Sequence, residues 1–351
     1  MEFQIRDVAF GGAGVGRPNG KTIFVPFTID GERVTARVVR EKKQFAEAEL
    51  EEVVDASPLR AQPECPYFGR CGGCSYQHIS YEHQLELKHR QVEQILRRIG
   101  GIARPPMLPI IPSPKPYSYR NRVTVHAEDG VIGYYRRNAH RLIDVACCPI
   151  ADPEVNRALA ELRSRNPRNG HYTLRADEGP RVFAQTNDEV AEAMALLVTQ
   201  TLSDGDELLI DAYCGAGFFA KRLISKFDRV LGIEWDRYAI AAAQRTATAK
   251  ETYIVGDVDE AFAAQMAQCD PARTTVIVDP PAAGLGVRTR RALLDRPPHT
   301  IVYVSCDPST LARDLRELRR QFAIDSVTPL DMFPQTAKIE CVAHLKAKLH
   351  A

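Results

Sequence analysis

Apolar and polar residues follow two rhythms along this chain, and the change of rhythm divides it. From Gly31 to Arg40 (GERVTARVVR) they alternate, with Val34, Ala36 and Val38 on one side and Arg33, Thr35 and Arg37 on the other. A period of two sends successive side chains to opposite faces, so this is a half-buried strand with a basic outer face. An apolar strand at Lys21–Thr28, interrupted by Pro26, precedes it; Lys42 and Lys43 follow, then a strand ending near Val54. Gly11–Gly16 (GGAGVG) has no helix after it and reads as a β-turn rather than a phosphate loop. Short antiparallel strands of this kind suit an OB-like barrel. From Tyr81 to Ile99 the period becomes helical, with Leu85, Val92, Ile95, Leu96 and Ile99 as core positions and Gly100–Gly101 as the stop. The proline-rich stretch 103–116 reads as an extended linker.

The C-terminal half has neither alternation nor helical stripes in its apolar runs. The runs in ELLIDAYCGAGFF (207–219), VLGIE (230–234), YIVGD (253–257), TVIVDPP (275–281) and IVYVSC (301–306) are short and continuous, with helical patterns between them. That order predicts an α/β doubly wound parallel sheet. Gly215 and Gly217 allow a sharp turn close to a ligand, and Glu234, Asp257 and Asp279 close three successive strands. Glu234 stands about 20 residues past the turn, the spacing at which an acid reaches ribose hydroxyls. The turn lacks the lysine of a phosphate loop, and no second mononucleotide half follows. The pattern favours an adenosyl cofactor such as S-adenosylmethionine; the alternative is that each acid caps the next helix.

Cys306 ends the last of these runs, and Pro308 with Ser309 or Thr310 as N-cap opens a helix behind it. Positive potential at a helix start favours thiolate, which makes Cys306 a candidate nucleophile; the alternative is a buried structural cysteine, the commoner fate of the residue.

Nine cysteines in 351 residues are too few for a disulfide scaffold. No secretory apolar segment opens the chain, and no run approaches the ~20 apolar residues of a membrane span. A cytoplasmic protein is expected, in which clustered cysteines suggest metal. Cys65, Cys71 and Cys74 share a glycine-rich loop, and the pair Cys147–Cys148 offers a fourth ligand. The spacing suits an iron–sulfur cluster better than zinc, which usually takes two short pairs. The net charge is only +1, so any basic surface is local. Tyrosines and arginines interleave at Pro116–Arg122 and Ile132–Arg141, the composition that stacks bases and neutralises phosphates.

Four strings, DAYCGAGFF (211–219), DPPAAGL (279–285), SCDPSTLARD (305–314) and FPQTAKIECV (333–342), resemble the ordered motifs of the RNA uracil-C5 methyltransferases. The resemblance covers nearly the whole chain. It implies a class I S-adenosylmethionine-dependent methyltransferase (Rossmann-like) domain, an N-terminal TRAM barrel and a central β domain with a four-iron cluster. Cys306 is then the nucleophile and Glu340 the base. Gln185, Tyr213, Glu234, Asp257 and Asp279 match the cofactor site, with Gly215 and Gly217 in its turn. Cys65, Cys71, Cys74 and Cys148 match the cluster ligands. Relatives read SCNP where this chain has Asp307, DPPR where it has Ala282, and often histidine where it has Lys338. An acid beside the nucleophile opposes thiolate formation unless it is paired.

The resulting expectation is a TRAM-like barrel at 1–56, a central domain at 57–180 and a catalytic domain at 181–351, with the 81–109 helix packing on the last. The expected partner is RNA, which the resemblance makes large-subunit ribosomal RNA ahead of transfer RNA, with no membrane, no obligate protein partner and a monomeric state. The rivals are a cytosine-C5 RNA methyltransferase and an RNA-binding or RNA-folding protein that keeps a cofactor pocket.

Overall fold

The structure is a computed structural model that describes residues 1–177, 182, 184–202 and 205–348. The expected domain boundary at 180/181 and Phe183 of the FAQTN string lie outside the described residues. The chain packs into two compact units, 1–91 with 113–178 and 333–338, and 92–112 with 179–332 and 339–351.

The first unit opens with five strands: β1 (Glu2–Val8), β2 (Ala13–Gly16), β3 (Thr22–Pro26), β4 (Arg33–Glu41) and β5 (Phe45–Asp55). They close into a barrel in the order β1-β2-β3-β5-β4. The alternation in β4 has the expected sense: Val34 and Ala36 are fully buried, and they join Ile5, Val25 and Ala46 in the barrel core. Helix α1 (Tyr81–Arg98) follows, and the boundary between the units falls within it.

The buried face of α1 differs from the expected apolar stripe. Leu87, Val92 and Leu96 are buried, but so are His83, Gln84, Lys88 and Gln91, while Ile99 is exposed. Each of the buried amides has partners. Gln91 donates to Val8 O at 2.8 Å, and Gln84 donates to Ile79 O at 2.9 Å and to Gln335 Oε1 at 3.0 Å. Gln335 N donates back to Gln84 Oε1 at 3.0 Å. Lys88 Nζ donates to Phe333 O at 3.1 Å. Buried polar groups need such partners, and here α1 uses them to hold the 333–338 segment that precedes Glu340 in the chain.

The rest of the first unit is a four-stranded antiparallel sheet, β6 (Arg122–Glu128), β7 (Val131–Arg136), β8 (Ala139–Asp144) and β9 (Gly170–Arg175), with helix α2 (Pro153–Ser164). Its order is β8-β7-β6-β9. Val123, Val125 and Ala127 pack on Val155 and Leu159 of α2, leaving the other face open.

The second unit alternates helix and strand: α3 (Asp188–Thr201), β10 (Leu208–Ala212), α4 (Phe218–Leu223), β11 (Arg229–Glu234), α5 (Arg237–Gln244), β12 (Glu251–Val255), α6 (Val258–Met266), β13 (Thr274–Val278), α7 (Val287–Asp295), β14 (Thr300–Ser305) and α8 (Pro308–Leu318). Strands β15 (Phe322–Leu330) and β16 (Glu340–Ala347) finish it. The sheet order is β12-β11-β10-β13-β14-β16-β15, with every pair from β12 to β14 parallel and β16 antiparallel to both neighbours. Every residue of β10, β13 and β14 is buried, which is why those segments read as unbroken apolar runs. The strand order reverses between β10 and β13, and ligands of open α/β sheets bind at that point.

The stretch 103–112 is not a free linker. Leu108 N and Ile111 N donate to Val327 O and Pro329 O, each at 2.9 Å, so it runs parallel to β15. Prolines can occupy such an edge because only alternate N–H groups are needed there.

Candidate active site

Strand β14 delivers Cys306 to the carboxyl edge of the sheet. The β14–β16 register ends with Ser305 paired to Cys341, so Cys306 and Glu340 are the next residues along the two strands, close enough that the Glu340 charge raises the Cys306 thiol. Glu340 is buried, Cys306 half-buried.

The helix behind Cys306 is capped differently from expectation. The N-cap is Asp307, whose Oδ1 accepts from Ser309 N at 2.7 Å and Thr310 N at 3.2 Å. The acid in the SCDP string is thus engaged at the helix start, where negative charge is stabilised. The expected thiolate-favouring potential is outweighed all the same. Burial, then the charges of Glu340, Asp279 and Asp307, push the Cys306 thiol up to about 11.

The turn after β10 forms the cofactor cradle at the switch point. Tyr213, Gly215 and Gly217 all take positive φ, at 66°, 54° and 84°. Glycine adopts this region without cost, whereas Tyr213 is held there against a preference of ~1–3 kcal/mol, as residues at functional sites often are. Glu234 fixes the turn: its Oε2 accepts from Gly215 N at 3.1 Å and its Oε1 from Asp236 N at 2.9 Å. A cavity of 230 Å³ lies against the turn, lined by Gln185, Tyr213, Gly215, Gly217, Phe218 and Asp279 among others. Gln185 Nε2 donates to Asp279 Oδ2 at 3.5 Å.

Asp257 stands apart from that cavity and caps α6, accepting from Glu260 N at 3.1 Å. The capping alternative therefore describes what Asp257 does in this structure. Two residues contribute here without having been singled out. Asp211, inside β10, is fully buried; its Oδ2 accepts from Ala220 N at 2.9 Å and its Oδ1 has no partner among the described residues. Burial and the neighbouring Asp279 and Glu234 push its carboxyl up to about 7, and burial with Glu234 does the same to Asp279. An acid within an otherwise apolar strand was the available signal. Arg222 lies over the Phe218 ring at 4.1 Å and forms part of the cavity wall.

A second cavity, of 380 Å³, belongs wholly to the first unit. Cys65, Cys71, Cys74, Cys147 and Cys148 all line it. Burial raises the thiols of Cys65, Cys71, Cys74 and Cys148, that of Cys74 to about 12. Cys147 is the exposed one of the pair. Among the described residues no three His, Cys, Asp or Glu side chains converge on a single metal ion. In a four-iron cluster each thiolate binds its own iron, so four sulfurs around a cavity fit that group better than one ion.

The outer faces of the first unit differ in charge. On the barrel Arg33 pairs with Glu2 and Asp55, Arg37 with Glu49 and Glu51, Arg40 with Glu47, and Lys21 with Glu41. The basic face expected of β4 is thus balanced by acids of neighbouring strands. On the open face of the four-stranded sheet, Tyr135 lies between His126 and His140 at centroid distances of 4.5 and 4.2 Å. Arg70, Arg136 and Arg141 are exposed and pair with no carboxylate among the described residues.

Residues 164–348 match the family described as tRNA (uracil-5-)-methyltransferase, and residues 1–50 match the TRAM domain. An uncharacterized RNA methyltransferase of Bdellovibrio bacteriovorus is 31% identical over 375 aligned positions, spanning 99% of this chain and 95% of its own. One from Halalkalibacterium halodurans is 30% identical over 450 positions, spanning 99% and 97%. Among solved structures, the Pyrococcus abyssi tRNA (uracil-54, C5)-methyltransferase in complex with S-adenosyl-L-homocysteine superposes with a TM-score of 0.74 at 24% identity, covering 98% of this chain and all of that one. That likeness shows the fold.

Proposed function

Because the chain belongs to the tRNA (uracil-5-)-methyltransferase family, we propose that it uses S-adenosylmethionine to methylate uracil C5 in RNA, with Cys306 as nucleophile and Glu340 as base. The observation that supports the assignment is that Cys306 and Glu340 follow the last β14–β16 pair, at the strand edge where Glu340 and Asp279 both act on the Cys306 thiol.

Uracil C5 is too weak a nucleophile to take a methyl group unaided. The Cys306 sulfur, on losing its proton, bonds to C6, and the C5–C6 double-bond electrons move toward O4, making C5 enolate-like. The cofactor supplies the methyl group that C5 then takes. Glu340 removes the C5 proton, the C5–C6 double bond re-forms and the C6–sulfur bond breaks, returning the thiolate. Tyr213, Gly215 and Gly217 shape the cofactor's turn, Glu234 holds that turn, and Gln185 with Asp279 borders the cavity. Acids around the site favour a cofactor that carries positive charge over one that does not.

Cys65, Cys71, Cys74 and Cys148 would hold a four-iron cluster, which would tie the 65–74 loop to the segment after β8. Ribosomal RNA is the preferred substrate on the resemblance, transfer RNA the alternative. A cytoplasmic location is the reading that the clustered, low-density cysteine usage supports.

The direct test is RNA in which 5-fluorouridine replaces the target uridine. Fluorine cannot leave as a proton, so wild-type protein and RNA should remain covalently joined, and Cys306→Ala should form no adduct and no 5-methyluridine. Normal turnover by Cys306→Ala removes the assignment. Mass-spectrometric mapping of 5-methyluridine in RNA from a deletion strain identifies the target.

A further inference from the structure

Among the described residues, three hydrogen-bond donors beside the cysteines have no oxygen or nitrogen acceptor, and each faces thiols: Gln77 hydrogen-bonds Cys74, Tyr134 hydrogen-bonds Cys148, and Arg137 lies near Cys71 and Cys74. Gln77 is buried; its Oε1 accepts from Cys65 N at 3.1 Å, and its Nε2 has no oxygen or nitrogen partner among the described residues, its side chain being turned to the Cys74 sulfur. The Tyr134 hydroxyl is buried without an oxygen or nitrogen partner, and Tyr134 lines the cavity with Cys148. Arg137 pairs with no carboxylate among the described residues and leaves its Nε without a partner. Its other contacts are donation to Cys74 O at 2.7 Å and Ser75 Oγ at 3.1 Å, and the Phe27 ring at 4.7 Å.

A buried donor satisfied only by a neutral thiol, which is a weak acceptor, recovers little of the ~1–3 kcal/mol that an unmade hydrogen bond costs, and a half-buried cation without a counter-charge adds to that. Such groups are rare, and here three stand beside one set of four thiols. A bare cation in the cavity would repel Arg137 and offer nothing for an N–H or O–H to donate to. A sulfur-rich anion satisfies all three groups.

We propose that Gln77, Tyr134 and Arg137 are the outer donor set of the iron–sulfur cluster, hydrogen-bonding or facing its sulfurs and raising its reduction potential. The inference rests on the cluster reading above. Hydrogen bonds and positive charge near cluster sulfurs stabilise the form with one more electron, so both move the potential upward. None of the three residues binds iron, and no bond changes when the electron enters.

The experiment uses the full chain purified anaerobically, with iron and sulfide measured per chain and the midpoint read by electron paramagnetic resonance as dithionite is added. Tyr134→Phe keeps the ring and removes one donor. It should hold the wild-type iron and sulfide content and lower the midpoint by on the order of tenfold in the one-electron equilibrium, ~59 mV. Deuterium exchange should also show a coupled exchangeable proton in wild type that Tyr134→Phe lacks. Arg137→Met should shift the midpoint in the same direction and Arg137→Lys should restore it, which covers the case where Tyr134→Phe does not load. Wild-type protein without iron and sulfide sinks the cluster reading itself. A loaded wild type whose variants keep its midpoint and its exchangeable proton overturns the donor set alone.

Discussion

The reactivity of Cys306 is decided by its burial, and then by the charges around it, rather than by its place at a helix start. With the thiol pushed up to about 11, about one molecule in ten thousand carries thiolate at pH 7. The sign is fixed by the causes: burial disfavours the charged form and neighbouring negative charges disfavour a further one, so thiolate accumulates only as pH rises. Neutralising a neighbour should therefore lower the thiol's pKa. At fixed pH, Glu340→Gln and Asp279→Asn should each raise the rate of Cys306 alkylation by iodoacetamide by on the order of tenfold, read by peptide mass spectrometry. An unchanged or slower rate would mean these carboxyls are already protonated at that pH. The same Glu340→Gln variant should methylate and then stall, leaving protein joined to RNA, because the C5 proton has no acceptor. Turnover at the wild-type rate would take Glu340 out of the mechanism.

Helix α8 and helix α1 show what one element's sequence reveals and what it hides. The parallel strands were legible because burial on both faces leaves an unbroken apolar run, and the acids at their ends were legible because a polar residue closes each run. The α8 cap was misplaced by two or three residues because Ser309, Thr310 and Asp307 are all good caps, and only the backbone directions choose among them. Asp307→Asn keeps the capping oxygen and removes the charge, while Asp307→Ala loses both. Asp307→Ala should cost about 1 kcal/mol in a denaturant titration and Asp307→Asn much less. The α1 face was hidden for another reason. Gln84 is buried because its partner Gln335 lies 251 residues away, and no local pattern predicts that. Gln335 takes a positive φ of 66°, and Gln84 holds its N–H. Gln84→Leu should therefore cost ~1–3 kcal/mol by stranding buried backbone groups, far more than an apolar face would imply. A thermal melt within a degree of wild type would show that the 333–338 segment does not depend on this helix.

At the scale of the whole chain, a net charge of +1 leaves no general attraction to RNA, so binding must come from places where cations lack partners. The alternation in β4 suggested such a place on the barrel. Sequence shows the cations of one strand but not the acids that neighbouring strands bring beside them. Arg33 and Arg37 each face two carboxylates, and exchanging those for phosphates gains little. Arg70, Arg136 and Arg141 are differently placed. Cys71 and Arg136 share a β-bridge, and Arg137 N donates to Arg70 O at 3.0 Å, which brings Arg70 and Arg136 together on the rim of the cysteine loop. A phosphate contact releases condensed counterions, so each one lost flattens the plot of log affinity against log salt by about 0.7–0.9. Replacing Arg70, Arg136 and Arg141 by alanine should flatten that slope by about two units, for a stem-loop substrate titrated from low to physiological salt. Replacing Arg33 and Arg37 should leave it nearly unchanged. Cofactor affinity, measured by calorimetry in the absence of RNA, should be unaltered in both proteins, because the cradle is built from residues of the second unit. The reverse result, a flattened slope for the barrel variant alone, would mean that the barrel's ion pairs open to admit phosphates and that the rim arginines are only a solvated surface.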